Sequence, residues 1–145
     1  MFKKKNLLII ILSIFCIFNS AFSNESFFSK AKKEYDKKKF EESKFLFQRN
    51  IVFNPKDAKS YLYLAKIFKF LDNQKEELKN IETTLLLEPK NEEALYMLIN
   101  IELKKSNYTK VKKLKKDFLE ICTTLCKNEK KILQGLQNIE PKNES

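Results

Sequence analysis

Two cysteines near the carboxyl end, Cys122 and Cys126, have a type and spacing that suggest chemistry. In a continuous helix their β-carbons would lie about 5–6 Å apart, whereas a disulfide requires about 3.5–4.5 Å. A disulfide therefore requires the helix to end between them. The β-branched Thr123 and Thr124 are a plausible end point. We predict a structural disulfide that closes the turn before the last helix.

Three other interpretations of this pair stay open. A redox-active dithiol usually has the spacing Cys-x-x-Cys, which is one residue shorter. A metal site would lack further ligands of suitable type. Two packed free thiols remain possible if the protein is not exported, because a reducing compartment keeps thiols reduced.

Two common features of catalytic and phosphate-binding sites, histidine and a glycine-rich loop, are absent from the sequence. The chain has no histidine, the commonest general base and zinc ligand. With a single glycine it has no glycine-rich loop for phosphates. Acidic pairs near predicted helix starts suit the helix dipole as solvated first-turn residues. These pairs are Glu41-Glu42, Glu76-Glu77 and Glu92-Glu93. We predict a protein that is not an enzyme and uses no cofactor and no metal.

The amino terminus is organised like a secretory signal peptide. Three lysines precede an apolar run from Leu7 to Phe18, and Ala21 and Ser23 place small residues two positions apart. This layout predicts a signal peptide over 1–23, cleaved after Ser23. The chain would then be exported, and we expect the bacterial periplasm as its location.

Two alternatives concern the same segment. An uncleaved membrane anchor would need about 20 apolar residues, and this run is shorter. A lipidated Cys16 is the other alternative, although the bulky Phe15 stands where lipoprotein signals usually carry a small residue.

The charge of the chain is strongly basic. Lysine and arginine number 29 against 19 acidic residues, a net charge of +10. Removal of 1–23 takes three lysines and no acid, which leaves +7. A basic surface attracts acidic protein segments, anionic lipid or nucleic acid. Export argues against nucleic acid, so acidic protein segments and anionic lipid remain. We expect a membrane attachment only through the amino-terminal segment, if that segment is not cleaved.

The composition and the apolar periodicity predict an all-α fold. Glycine and proline are scarce, and the long side chains of Lys, Glu and Leu suit helices. We predict seven helices followed by a polar tail at 140–145. Their bounds are about 25–37, 40–53, 58–70, 74–87, 92–104, 108–121 and 127–139.

Two prolines mark an internal repeat. Pro55 and Pro89 lie 34 residues apart, each after an apolar helical segment. This period predicts stacked helical hairpins, with repeats of about 24–57, 58–91 and 92–123 and a capping helix at 127–139. Asp57 and Asn91 are expected N-caps. A generic helical bundle is the alternative.

The repeated residues resemble the tetratricopeptide repeat (TPR) family. Tyr61, Leu64, Ala65 and Phe68 follow its first-helix plan. Its second-helix plan is matched in the first copy by Phe40, Ser43, Phe47, Asn50 and Pro55. The closing segment 119–136 is similar to small exported bacterial repeat proteins with a terminal cysteine pair. The resemblance implies an α-solenoid of three TPR-like repeats plus a capping helix, preceded by a signal peptide.

The resemblance also implies a binding surface on the first helix of each pair. The corresponding positions are Phe28, Lys32, Tyr35, Leu62, Lys66, Lys69, Tyr96, Asn100 and Leu103. Aromatic and aliphatic side chains mixed with lysines would suit a peptide or protein segment with acidic and apolar groups. Alternatively, the aromatic residues belong to the core and the lysines only confer solubility.

The sequence therefore predicts a non-enzymatic protein-interaction module or scaffold in the bacterial periplasm. One alternative is a membrane-anchored envelope assembly factor that keeps its amino-terminal helix. Another is a thiol-disulfide protein that uses Cys122 and Cys126.

Overall fold

The computed structural model describes residues 25–141, and every regular element in that range is helical. The predicted all-α class is confirmed. The predictions for 1–23, including Cys16, lie outside the described residues, as does the tail from 142 onward. Over 25–141, seven α-helices and one short 3-10 turn, Cys126–Asn128, follow each other in the chain. The helices are α1 Phe27–Asp36, α2 Phe40–Phe53, α3 Ala58–Phe70, α4 Gln74–Leu87, α5 Glu92–Lys104, α6 Tyr108–Ile121 and α7 Glu129–Asn138.

The bounds of α2 to α6 coincide with the predicted ones, and α1 and α7 are slightly shorter than predicted. Each helix packs against the next one along the chain, and α7 also packs against α5. The first six helices thus form three hairpins, α1–α2, α3–α4 and α5–α6. Within residues 25–141 no helix combines the length and apolar character required to cross a bilayer.

Each hairpin turn places one residue in the left-handed region of backbone space. Lys38 has φ 60°, and Asp72 and Ser106 each have φ 53°. These three positions recur at the interval that separates Pro55 from Pro89. In the first turn the Lys39 amide donates to Glu34 O at 3.0 Å and the Lys38 amide donates to Tyr35 O. These bonds satisfy carbonyls at the end of α1, which is the Schellman arrangement. Glycine tolerates this conformation better than lysine does.

Apolar side chains from consecutive hairpins form the core. Leu64, Leu98 and Ile132 recur with the period of the turns, and all three are buried. Each of them lies on a helix that follows a completed hairpin. Phe47 of α2 and Phe118 of α6 are fully buried. Burial of a phenylalanine side chain stabilises a fold by about 1.5–3 kcal/mol. The hydrophobic effect therefore holds each hairpin to its successor.

One of the two predicted N-caps differs from expectation. Asn91 caps α5, since its Oδ1 accepts from the Ala94 amide at 3.0 Å. The side chain of Asp57 does not cap α3. Its carboxylate instead accepts from Asn50 Nδ2 at 2.7 Å and from Ser60 Oγ at 2.6 Å. The carboxylate thus satisfies the buried side chains of two helices, which is a stronger demand than one exposed amide.

Two acidic side chains are buried in the fold. The carboxylate of Glu102 accepts from Lys110 Nζ at 3.1 Å and from Asn107 at 3.0 Å. Burial acts to raise the pKa of Glu102, but these partners bring it below its ordinary value. Glu77, predicted to be solvated, is also buried, and burial raises its pKa. The prediction for Glu77 is wrong because its position faces the inside of the second hairpin. The equivalent positions of the first and third hairpins, Ser43 and Val111, are also buried.

We expect Lys38→Gly to raise the free energy of unfolding by about 1 kcal/mol, because glycine has no β-carbon to clash at φ 60°. Lys38→Ala is the matched control, since alanine removes the long side chain but keeps the β-carbon. Thermal and denaturant unfolding of both variants measure the effect. An equal gain from Lys38→Ala would show that the side chain, and not the backbone conformation, causes it.

Candidate functional site

A groove of about 730 Å³ runs mainly between α3 and α5, the first helices of the second and third hairpins. We call it the central groove. Its lining residues are Tyr35, Phe40, Lys66, Lys69, Phe70, Glu93, Tyr96, Met97, Asn100 and Leu125. The walls are therefore aromatic and aliphatic, with two lysines and one carboxylate among them.

Five of the nine binding positions predicted from the sequence line the central groove. They are Tyr35, Lys66, Lys69, Tyr96 and Asn100. These five come from α1, α3 and α5, so the structure brings together residues that are far apart in the sequence.

The other four predicted positions lie elsewhere. Phe28 and Lys32 line a separate shallow pocket on the surface of α1. Leu62 is only 8% exposed and belongs to the core cluster of the second and third hairpins. Leu103 packs against Gly135 of α7, so close that an added β-carbon there would lie 2.8 Å from its Cδ2.

Sequence reasoning missed five groove residues, Phe40, Phe70, Glu93, Met97 and Leu125. The rings of Phe40 and Phe70 lie 4.1 Å apart, and Phe70 is 66% exposed. Phe70 falls off the apolar stripe of α3 and ends that helix. A large aromatic residue outside the stripe and next to a turn is the signal that could have identified it.

Tyr63 lies at the centre of the aromatic packing beside the groove. Its ring stacks on Phe47 at 5.0 Å and meets Tyr35 edge-on at 5.0 Å. Lys66 lies over the same ring with its Nζ 4.8 Å from the centroid, and pairs with Glu93 at 2.8 Å. The Lys66 ammonium is therefore fixed between a ring face and a carboxylate. Burial raises the pKa of Tyr35, so its hydroxyl stays protonated at neutral pH.

Lys69 differs from Lys66 in its surroundings. Its side chain is exposed at the rim of the groove. In the part of the chain that the structure describes, it forms no ion pair within 4.0 Å. Lys69 is thus the groove cation best placed to meet an acidic group from outside.

A disulfide joins Cys122 and Cys126, as predicted, with their Cα atoms 5.4 Å apart. The helix α6 ends at Ile121 and Cys122 adopts an extended conformation, so the predicted helix break is present. The loop between the cysteines directs Leu125 into the wall of the central groove. The disulfide therefore constrains one edge of this groove.

Glu92 holds the same loop from the first turn of α5. Its carboxylate accepts from the amides of Thr123 at 2.7 Å and of Thr124 at 3.2 Å, and from the amide of Leu125 at 3.3 Å. It also accepts from the Thr124 hydroxyl. The Thr124 hydroxyl, followed by these amides, lowers the pKa of Glu92 to about 2. Glu92 lies in the first turn of α5 and is partly exposed, as predicted. Its hydrogen bonds to the loop were not predicted, because these partners lie beyond the end of α6, a whole hairpin later in the chain.

The central groove presents groups for non-covalent contacts. Between residues 25 and 141 there is no group of three or more His, Cys, Asp or Glu side chains that could hold a metal ion. The two cysteines in the same range are bonded to each other. The central groove offers aromatic surface, one exposed ammonium and a side-chain amide, which can make apolar contacts, an ion pair and hydrogen bonds.

No protein-family model matches the chain, and no curated protein matches it.

We expect Glu92→Gln to reduce the free energy of unfolding at pH 7 by about 1–2 kcal/mol, because a neutral amide accepts hydrogen bonds less strongly than a carboxylate. A carboxylate whose folded pKa is lowered stabilises the fold above its ordinary pKa near 4.5 and loses this contribution as the pH falls towards 2. The stabilities of wild type and variant should therefore converge between about pH 5 and pH 2.

Urea unfolding over this pH range measures the effect. Glu82→Gln, on an exposed carboxylate of α4, is the control and should leave the pH profile unchanged. Parallel profiles for Glu92→Gln and wild type would show that Glu92 does not contribute through its charge.

We expect the double substitution Cys122→Ser with Cys126→Ser to lower the free energy of unfolding by about 2 kcal/mol, because a short loop loses its covalent closure. A dithiol reductant added to the wild type should produce the same loss. The wild type should neither oxidise nor reduce a test thiol catalytically. Unchanged stability together with catalytic thiol exchange would instead identify a thiol-disulfide protein.

Proposed function

We propose that the chain is a small exported α-solenoid of three tetratricopeptide-like repeats with a capping helix, and that it acts as a non-enzymatic protein-interaction module. Two observations support the repeat assignment. The three hairpin turns recur at a constant interval with the same backbone conformation, and buried residues recur with the same period. The family resemblance of the first-helix and second-helix residues adds to this.

The central groove carries the proposal. Phe70 exposes most of its ring in a groove that also contains Phe40 and Tyr96. Exposed aromatic surface is unfavourable in water, and large aromatic side chains in grooves are common anchors of protein partners. A peptide that covers Phe70 would remove this surface from water.

The charges of the groove favour a partner segment with both apolar and acidic side chains. Lys66 is neutralised by Glu93, so the centre of the groove carries little net charge. Lys69 remains at the rim, next to Phe70 in the sequence. An apolar side chain of the partner would contact Phe70, and a neighbouring carboxylate would reach Lys69.

An oxidising location agrees with the disulfide, because disulfides persist in exported proteins. The predicted signal peptide at 1–23 leads us to propose the bacterial periplasm. Retention of this segment would instead make the protein a membrane-anchored assembly factor. Cell fractionation distinguishes the two, since a soluble pool that lacks 1–23 excludes the anchor.

We expect Phe70→Ala to reduce partner recovery at least tenfold in affinity capture from the host envelope, because truncation of an anchor typically costs about 2 kcal/mol or more. Phe45→Ala is the matched control, since Phe45 is similarly exposed on α2 but lies outside the groove. Quantitative mass spectrometry compares the proteins recovered with wild type and both variants.

Lys69→Glu should also reduce partner recovery, because it reverses a charge at the groove. Lys59→Glu should leave partner recovery unchanged, since Lys59 is exposed on the same helix but lies outside the groove. Circular dichroism checks that all variants keep their helices. Recovery of the same proteins by Phe70→Ala and Phe45→Ala would refute the groove as the binding site.

A further inference from the structure

The helix α7 occupies the position in the 34-residue period that the first helix of a hairpin would occupy. Ile132 follows Leu98 at the interval that separates Leu98 from Leu64, and all three side chains are buried. Like α3 and α5 before it, α7 packs against the hairpin that precedes it. In each of the three hairpins a second helix then packs against the flank of the first helix that the preceding hairpin does not cover. Within the described residues no second helix follows α7.

The uncovered flank of α7 is apolar. Leu133 occupies the register of Ala65 and Ile99, and both of these are fully buried. Ala65 packs with Ile81 of the second helix α4, and Ile99 packs with residues of the second helix α6. Leu133 is 39% exposed, since it has no such cover.

The result is a cleft of about 420 Å³ between α6 and α7. We call it the terminal cleft. Leu119, Leu133 and Leu136 are its apolar lining, and Lys112 and Lys116 are two of the polar residues along it. Leu119 is 38% exposed.

Other polar residues of the cleft already have partners. Lys115 pairs with Glu129 at 3.4 Å. The Tyr108 hydroxyl donates to Glu140 at 3.1 Å. Lys112 and Lys116 lie one helical turn apart, are exposed, and form no ion pair within residues 25–141.

The charge of the molecule is concentrated at this end. Residues 105–141 contain nine lysines and four acidic side chains. Residues 25–104 contain sixteen basic and fourteen acidic side chains. Residues 105–141 therefore carry a net charge of about +5 and residues 25–104 about +2. The net positive charge of the described chain is concentrated in the part that contains the terminal cleft, where it favours an anionic partner.

We propose that the terminal cleft binds an acidic amphipathic helix of a partner protein, which takes the place of a second helix against α7. The shape argues for a helix, because α4 and α6 bury the corresponding apolar positions of the earlier hairpins. The two unpaired lysines argue for acidic groups on that helix. A flat bilayer fits less well, since the apolar residues lie in a cleft between two helices and Leu136 is largely buried.

This surface is distinct from the central groove. Its residues come from α6, α7 and the segment after α7, whereas the groove is built on α1, α2, α3, α5 and Leu125. The two sites can therefore be tested separately, and failure of one does not imply failure of the other.

The test uses a synthetic peptide of the same length as α4 or α6. It carries leucines at four positions with spacing i, i+4, i+7 and i+11, and glutamates on the opposite face. A second peptide has lysines in place of the glutamates. Fluorescence anisotropy measures binding to the full chain, and NMR locates the contact. We expect the glutamate peptide to bind at least tenfold more tightly and to shift the signals of Leu119 and Leu133.

Two double variants with the same change of net charge provide the matched comparison. Lys112→Glu with Lys116→Glu should weaken the binding of the glutamate peptide at least tenfold. Lys130→Glu with Lys131→Glu, on exposed residues of α7 outside the cleft, should weaken it less than twofold. Leu133→Gln should also weaken it, which tests the apolar contact without a change of charge.

Three outcomes would overturn the proposal. One is an equal loss for both lysine pairs, which would indicate attraction by overall charge. Another is a set of shifted signals at Phe40, Phe70 and Tyr96, which would place the peptide in the central groove. The third is binding to vesicles of mixed phosphatidylcholine and phosphatidylglycerol but to neither peptide, which would identify an anionic membrane surface as the ligand.

Discussion

The packing of each first helix onto the preceding hairpin, in one fixed register, is the constraint on which this structure depends. Leu64, Leu98 and Ile132 are the repeated contact, and each is buried against helices already formed earlier in the chain. Because the contact is repeated in the same direction, both flanks of α3 and α5 have a defined role. One flank packs on the previous hairpin and the other receives its own second helix. The central groove and the terminal cleft are what this arrangement leaves open.

The loop that holds the disulfide ends the repetition. After Ile121 the chain turns away from the helical path, and Cys122 and Cys126 close the turn. Glu92 binds the amides exposed by this turn, so the first turn of α5 and the end of α6 stabilise each other. The cause is electrostatic, because a carboxylate is a strong acceptor for unpaired backbone amides. The same contact positions Leu125 in the wall of the central groove, so this loop also shapes the groove.

Much of the fold was predictable from the sequence, because the apolar period, the prolines and the N-cap Asn91 act locally. The bounds of α2 to α6 follow from such signals. The environments of Glu77 and Glu92 did not follow, since the solvation of a carboxylate depends on helices and loops far away in the chain. Phe70 was missed for the same reason, as its partner Phe40 comes from another helix. Helical period identifies an apolar face, but not which neighbour covers it. Leu62, for example, was expected at a binding surface and is instead buried in the core.

The two proposed surfaces differ in charge, and this difference determines what each can bind. The central groove is aromatic, and its inner lysine is neutralised by Glu93. Selectivity there must come mainly from shape and from apolar contact. The terminal cleft has an aliphatic lining and two lysines, Lys112 and Lys116, that form no ion pair within residues 25–141. Charge and helical form would therefore select its proposed ligand. Loop 122–128 lies between the central groove and the terminal cleft. Leu125 of this loop lines the groove, and Glu129, which follows the loop, pairs with Lys115 of the cleft. A chain with both proposed sites occupied would hold two different protein segments on either side of one covalently closed loop, as the proposed interaction role requires.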